Sequence, residues 1–213
     1  TIQRQSMAGA LVVPAYAPNG EIQSLQFIPR DGGDKLNLPA AKMAGASFTV
    51  GTEGPVYVCE GVGAAWTCYQ ATGHRAVCCF GWGNVGTIAA QLRQREPDAK
   101  LVICPDTGKE SDAAKIAANV GGMVAAMPDG WPKNSDVNDL AQRDGMDLLE
   151  ALLHAATEPP TPEIKVHPLA QYVDIDGTAK PPRWVIPGFI GHGVTVIAGA
   201  HGVGKTTALL PLA

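Results

Sequence analysis

An excess of positive charge is missing from this chain. Its 213 residues hold 16 Lys and Arg against 20 Asp and Glu, a formal charge of -4. That excludes coating of nucleic acid by charge alone; any such contact must use a local basic patch or metal ions. Charged residues of either sign are sparse, 17% against 46% hydrophobic. The balance excludes wholesale disorder and allows a sizeable buried core. No run of about 18 apolar residues occurs and no signal peptide opens the chain, so a membrane partner is not expected and a cytoplasmic location is. The five cysteines, Cys59, Cys68, Cys78, Cys79 and Cys104, are odd in number and form no C-x-x-C pair. This argues against a disulfide framework and against a zinc site. Four of them sit in or beside apolar runs, where a free Cys behaves as a small hydrophobe. Thr1 in place of Met, and an apolar pattern still running at residues 209–213, read as a piece of a longer protein.

What is present changes character along the chain. Residues 1–52 read as a small β-rich unit. An apolar run at 10–16, the Asn19-Gly20 turn signal and partial alternation over 21–28 predict a hairpin. The turn at 31–34 precedes short strands at 36–38 and 47–50. Residues 53–156 alternate: strands at 56–59, 76–80, 101–104 and 123–127, helices at 64–72, 85–95, 112–120 and 140–155. Such alternation, with short apolar strands, predicts an α/β fold with a mostly parallel sheet covered by helices on both faces. Residues 157–190, with Pro159, Pro160 and Pro162, read as a linker and lead-in.

Residues 191–213 carry the sharpest motif. Gly199-Ala-His-Gly202-Val-Gly204-Lys205-Thr206 matches G-x-x-x-x-G-K-[ST], after a predicted strand at 194–198 and before a helical pattern. Glycines let backbone N–H groups converge on phosphate oxygens, and the helix N-terminus adds partial positive charge. Lys205 would reach the β- and γ-phosphates of ATP and Thr206 would meet Mg²⁺, with Thr207 next in the helix. The motif reads as the opening, truncated part of an ATPase domain.

The acidic residues of the middle segment stand at strand ends. Glu60 follows Val-Tyr-Val-Cys and Asp106 follows Leu-Val-Ile-Cys-Pro. Open parallel sheets put their sites at that edge. If the two strands are neighbours, the carboxylates converge; such a cluster suits Mg²⁺, and paired ions serve phosphoryl transfer. Glu60 could instead serve as a general base. Asp136 and Asp139, in Ser135-Asp-Val-Asn-Asp-Leu140, read first as a helix N-cap and second as further ligands. Lys35, after a glycine turn, is the preferred phosphate contact. Trp66, Trp82 and Trp131 read as packing or loop anchors.

Taken together, Val56-Tyr-Val-Cys-Glu60-Gly61, Leu101-Val-Ile-Cys-Pro-Asp106 and Ser135-Asp-Val-Asn-Asp-Leu140 resemble the E-G, D-x-D and D-x-N-D motifs of Toprim domains. The likeness is to the primase-type Toprim domains of phage and plasmid primase-helicases. Residues 11–36 resemble their β-rich lead-in, and 167–206 resemble the start of a RecA-like helicase ATPase. The resemblance implies a DNA primase that joins ribonucleotides on a DNA template with Mg²⁺ or Mn²⁺, coupled in cis to an ATP-dependent helicase part through which it could oligomerise. It implies Glu60 as the catalytic Glu and Asp106 as the first Asp of D-x-D. The second Asp of that motif falls at Gly108, with Glu110 or Asp112 in the next turn as substitutes. The alternatives are a degenerate, non-catalytic DNA-binding module and a Toprim nuclease.

Overall fold

A computed structural model describes Ile2, residues 5–159 and two short strands farther along. The chain divides into two compact units, Thr1–Pro162 and Glu163–Ala213. In the first unit, β1 (Leu11–Tyr16) and β2 (Ile22–Ile28) pair antiparallel, Leu11 opposite Ile28. Gly20 makes the connecting turn with φ +85°, and its N–H donates to the Ala17 carbonyl at 2.9 Å. A short β3 (Leu36–Asn37) joins the open side of β2. One face of this small sheet buries Val13, Ala15, Ser24 and Gln26, while Leu11, Val12 and Ile22 are exposed.

The second sheet has β4 (Phe48–Val50), β5 (Val56–Cys59), β6 (Ala76–Cys78), β7 (Leu101–Cys104) and β8 (Met123–Val124) in the order β4-β6-β5-β7-β8. Only β4 runs antiparallel; the other pairings are parallel. Helices α1 (Val62–Thr72), α2 (Trp82–Arg95) and α3 (Glu110–Val120) follow β5, β6 and β7. Helices α4 (Val137–Asp144) and α5 (Met146–His154) close the unit.

The strands show why the layers form. Val56 and Val58, Val77 and Cys79, and Leu101 and Ile103 enter an aliphatic core with Val85, Ile88 and Leu92 of α2 and Ala113 and Ala117 of α3. Tyr57 and Cys59, Ala76 and Cys78, and Val102 and Cys104 point the other way. They pack with Ala64, Ala65 and Cys68 of α1, Leu140 of α4 and Leu149 of α5. Alternate residues of each strand therefore supply opposite cores, the period expected of a sheet buried on both sides.

Several boundaries differ from those predicted. The single helix expected over 140–155 is two helices. Gly145 between them has φ +96° and ψ 162°, far from helical values, and Asp136 caps the first helix earlier than the hydrophobic pattern implied. The strand expected at 76–80 stops at Cys78, because Phe80 turns to φ +58°. Helix α2 starts at Trp82, α1 at Val62 and α3 at Glu110, each a few residues before its apolar periodicity. In the second unit, β9 (Trp184–Ile186) pairs antiparallel with β10 (Ile190–Gly191), within the segment read as a linker and lead-in. The strand expected at 194–198 and the phosphate-loop residues Gly199, Gly202, Gly204, Lys205, Thr206 and Thr207 lie outside the described residues.

Candidate active site at the carboxyl ends of the central strands

Strands β5 and β7 are parallel neighbours in register, with Cys59 opposite Cys104. Glu60 follows Cys59 directly and Asp106 follows Cys104 by two, so both acidic residues leave the sheet at the same edge. They line one cavity of about 190 Å³ with Gln26, Lys35, Gly61, Phe80, Gly81 and Asp136. Each group comes from a different part of the unit: Gln26 from β2, Lys35 from the turn before β3, Asp136 from the start of α4.

Local hydrogen bonds fix these positions. The Gly81 N–H donates to the Glu60 carbonyl at 3.1 Å, and the Cys79 N–H to the Cys59 carbonyl at 2.9 Å. The turn after Asp106 is tied back by Lys109 N–H to the Asp106 carbonyl at 3.0 Å. It is tied across by Thr107 N–H to the Ser135 carbonyl at 2.8 Å and by Asn134 N–H to the Thr107 carbonyl at 3.0 Å. Thr67 of α1 donates to Asn138 Oδ1 of α4 at 3.0 Å, joining the helix after Glu60 to the helix capped by Asp136. Gln26 donates to Asn37 Oδ1 at 3.1 Å.

The cap reading of Asp136 and Asp139 holds. Asp136 Oδ1 accepts from the N–H groups of Asn138 (2.8 Å) and Asp139 (3.1 Å), and Asp139 Oδ2 accepts from the Asp136 N–H at 3.0 Å. This is a reciprocal capping box. Asp136 also borders the cavity, so cap and site share one residue. Asp139 is not among the cavity-lining residues, although its charge reaches Asp106. Asp112 lies on the exposed face of α3, 3.2 Å from Lys115 Nζ. Glu110 is drawn to its own turn, where Oε1 accepts from the Gly108 N–H at 2.8 Å. Gly108 has φ +93°, a backbone shape that Asp adopts only with strain, and an added Cβ would stand 3.6 Å from the Lys133 side chain.

The electrostatics are those of an acidic site short of cations. Burial, reinforced by the charges of Glu60, Asp136 and Asp139, pushes the Asp106 carboxyl up to about 7 from an ordinary 3.8. Lys35 is the basic residue in the lining, its Nζ 3.9 Å from where a Cβ on Gly61 would stand. The sequence reading missed Gln26, Phe80 and Gly81. Gln26 is buried in the inward series Ser24, Gln26 of β2, a consequence of packing that no local pattern signals. A larger groove of about 490 Å³ runs between β1 and α1, but Leu11, Val12, Val13, Phe48 and Trp66 make it apolar and no titratable acid or base lines it.

A second group stands directly behind the carboxylates. The sulfurs of Cys59, Cys68 and Cys104 lie within 4.8 Å of one another, all buried. The Cys59 and Cys68 sulfurs are 3.8 Å apart, an S–H···S contact with no disulfide between them. The nearby Cys104 sulfur, then burial, raises the Cys59 and Cys68 thiols, while the approach of those two lowers Cys104. The absence of C-x-x-C spacing hid this convergence, since the three residues come from β5, α1 and β7.

Comparison with solved structures decides the fold. Over 70% of this chain and 56% of the other, the RNA polymerase domain of Mycobacterium tuberculosis primase DnaG superposes with a TM-score of 0.52 at 22% identity. The fold is that of the primase RNA polymerase domain. The primase domain of bacteriophage T7 gp4, solved with an RNA/DNA hybrid and dTTP, matches 70% of this chain and 79% of its own at a TM-score of 0.51 and 16% identity. Among curated proteins, the DNA primase TraC of Escherichia coli is 27% identical over 103 residues, 46% of this chain. The match takes in 10% of TraC, so the chain spans a small part of that relative. Residues 159–213 match the family model of an AAA domain. Among the described residues, no helix is long and apolar enough to cross a membrane.

Proposed function

We propose that this chain carries the catalytic part of a DNA primase: template-directed synthesis of an RNA primer, dependent on Mg²⁺ or Mn²⁺. The observation that carries the reading is the shared cavity of Glu60, Asp106, Asp136 and Lys35 at the carboxyl edge of neighbouring parallel strands. The donor set fits a hard divalent cation. It offers carboxylate oxygens from three separate elements, and the carboxyl of Asp106 is raised by burial and then by neighbouring negative charge, which a cation would offset. Glu60 and Asp106 would hold the ion, with Asp136 contributing through the carboxylate edge its cap leaves open. When bound, it neutralises phosphate charge and favours ionisation of the attacking hydroxyl.

The remaining work falls to this chain's own residues. In nucleotidyl transfer the primer 3′-hydroxyl oxygen bonds the α-phosphorus of the incoming ribonucleotide, and the bond to the β-phosphate oxygen breaks, releasing pyrophosphate. Lys35 would meet the triphosphate as a point charge. Glu60, at the strand end, would orient the reacting end or accept the hydroxyl proton. Asp106 enters this chemistry ionised, so cation binding, and with it activity at limiting Mg²⁺, should weaken as pH drops below about 7.

The reading extends to organisation. A β-rich subdomain over 1–52, a Toprim domain over 53–156, a linker and lead-in over 157–190 and the start of a RecA-like ATPase at 191–213 account for the motifs. The AAA-domain likeness over 159–213 supports an ATP-dependent helicase part in cis, with Gly199, Gly202, Gly204, Lys205, Thr206 and Thr207 cradling ATP. DNA template and nucleotides are the partners proposed. Asp112, beside Lys115 on the exposed face of α3, and Asp139, held in the cap, do not line the cavity and are not among the proposed ligands.

Primer synthesis on single-stranded DNA tests the reading. Glu60→Gln is expected to lower it at least a hundredfold with folding intact; unchanged synthesis would overturn it. Gly108, in place of the second Asp of D-x-D, favours a second reading: a DNA-binding module without catalysis. That reading expects DNA binding by the wild type with no primers and no Mn²⁺ uptake. A nuclease would instead nick supercoiled DNA with Mg²⁺.

A further inference from the structure

Three buried sulfurs meet where the mechanism above uses none of them. Cys59 ends β5, Cys104 ends β7 as its cross-strand partner, and Cys68 reaches them from the second turn of α1. Three sulfurs held at about 2.3 Å from one ion stand about 3.8–4.0 Å apart, in tetrahedral or trigonal arrangement. The observed 3.8 Å between Cys59 and Cys68 falls on that edge length, and the full set spans no more than 4.8 Å. Closing the trio on an ion therefore asks for sub-ångström shifts of side chains already aimed at one point. The opposite face of the same sheet packs Val58, Ile103 and Ile88 with the single thiol of Cys79, so it is on this face that three sulfurs converge.

We propose that Cys59, Cys68 and Cys104 form a binding site for one thiophilic d¹⁰ divalent cation of the zinc class, separate from the carboxylate cavity. Thiolate donors select such ions, whereas the carboxylate oxygens one or two residues farther along the chain suit hard cations. Binding releases three protons and forms three metal–sulfur bonds: M²⁺ + 3 RSH gives M(SR)₃⁻ + 3 H⁺. The bound ion cross-links β5, β7 and α1 immediately behind Glu60 and Asp106. It thus stabilises the edge that presents both carboxylates.

Titration of the folded full-length chain with Cd²⁺, followed by thiolate-to-metal charge-transfer absorption in the ultraviolet, tests this. One equivalent should saturate the band. Cys68→Ala and Cys104→Ala should each lose at least nine-tenths of it, and Cys79→Ala and Asp106→Asn should retain it. Zinc X-ray absorption on the wild type supplies a readout that needs no variant: a shell of three sulfurs is expected. Absence of the band in folded wild type, an unchanged band in Cys68→Ala, loss in Cys79→Ala alone, or a nitrogen and oxygen shell without sulfur would each overturn the proposal.

Discussion

The two faces of the five-stranded sheet are built differently. Toward α2 and α3 the sheet presents Val56, Val58, Val77, Leu101 and Ile103, closed by Val85, Ile88 and Leu92. Toward α1, α4 and α5 it presents Tyr57, Cys59, Cys78 and Cys104, and there it also meets Val13 of the small sheet. The first face is a wall of branched aliphatics with no further task. The second holds the elements that deliver Asp136, and the small sheet that supplies Gln26 and whose third strand follows Lys35. Both faces bury a core, but the site-building elements gather on the second, and the carboxylates stand at the edge where the two meet.

The largest expected effect probes the aliphatic wall. Ile88 is fully buried in it, so Ile88→Ala should cost about 2–5 kcal/mol in urea unfolding. Metal and nucleotide binding by the remaining folded fraction should be unchanged. Equal damage to cation affinity would break the division between faces.

Next comes the turn after β7. Gly108→Asp restores the acidic residue that a D-x-D motif would have, but φ +93° makes it a strained position, at about 1–3 kcal/mol. The variant should unfold earlier in urea and gain no more than severalfold in Mn²⁺ affinity, because Lys133 is the nearest side chain to the new Cβ.

At Asp136 the cap and the site can be separated. Asp136→Ala should lose about 1 kcal/mol by removing the N-cap of α4. Asp136→Asn should keep most of that stability while removing one negative charge, so the Asp106 carboxyl moves down from about 7. Carboxyl titration by NMR and chemical denaturation read the two consequences.

The last effect is a slope with pH. The folded Asp106 carboxyl sits at about 7 and its unfolded counterpart near 3.8, so between those values the native state binds more protons. Without divalent cations, stability should fall as pH rises through about 4 to 7 and level off above. Asp106→Asn should flatten that part of the profile.

Much of this architecture was legible in the residues. Four-residue apolar strands ending in Glu60 or Asp106 gave the parallel sheet and its active edge, because burial on both sides leaves no polar alternation in such strands. Asn19-Gly20 gave the hairpin. The helix break at Gly145 was hidden, since a lone Gly is tolerated within a helical pattern and Leu149, Leu152 and Leu153 supply that pattern beyond it. The meeting of Cys59, Cys68 and Cys104, and the arrival of Gln26 beside Glu60, depend on how distant elements pack. No local pattern encodes either one.

Binding of Mn²⁺, measured by electron paramagnetic resonance across pH on the wild type and Asp106→Asn, tests the convergence of the acids most directly. The wild-type affinity should rise about tenfold per pH unit up to about 7, as one proton is displaced, then level. Asp106→Asn should bind at least tenfold more weakly with no such rise. Equal affinity in the two proteins, or none in the wild type, would contradict a shared cation site.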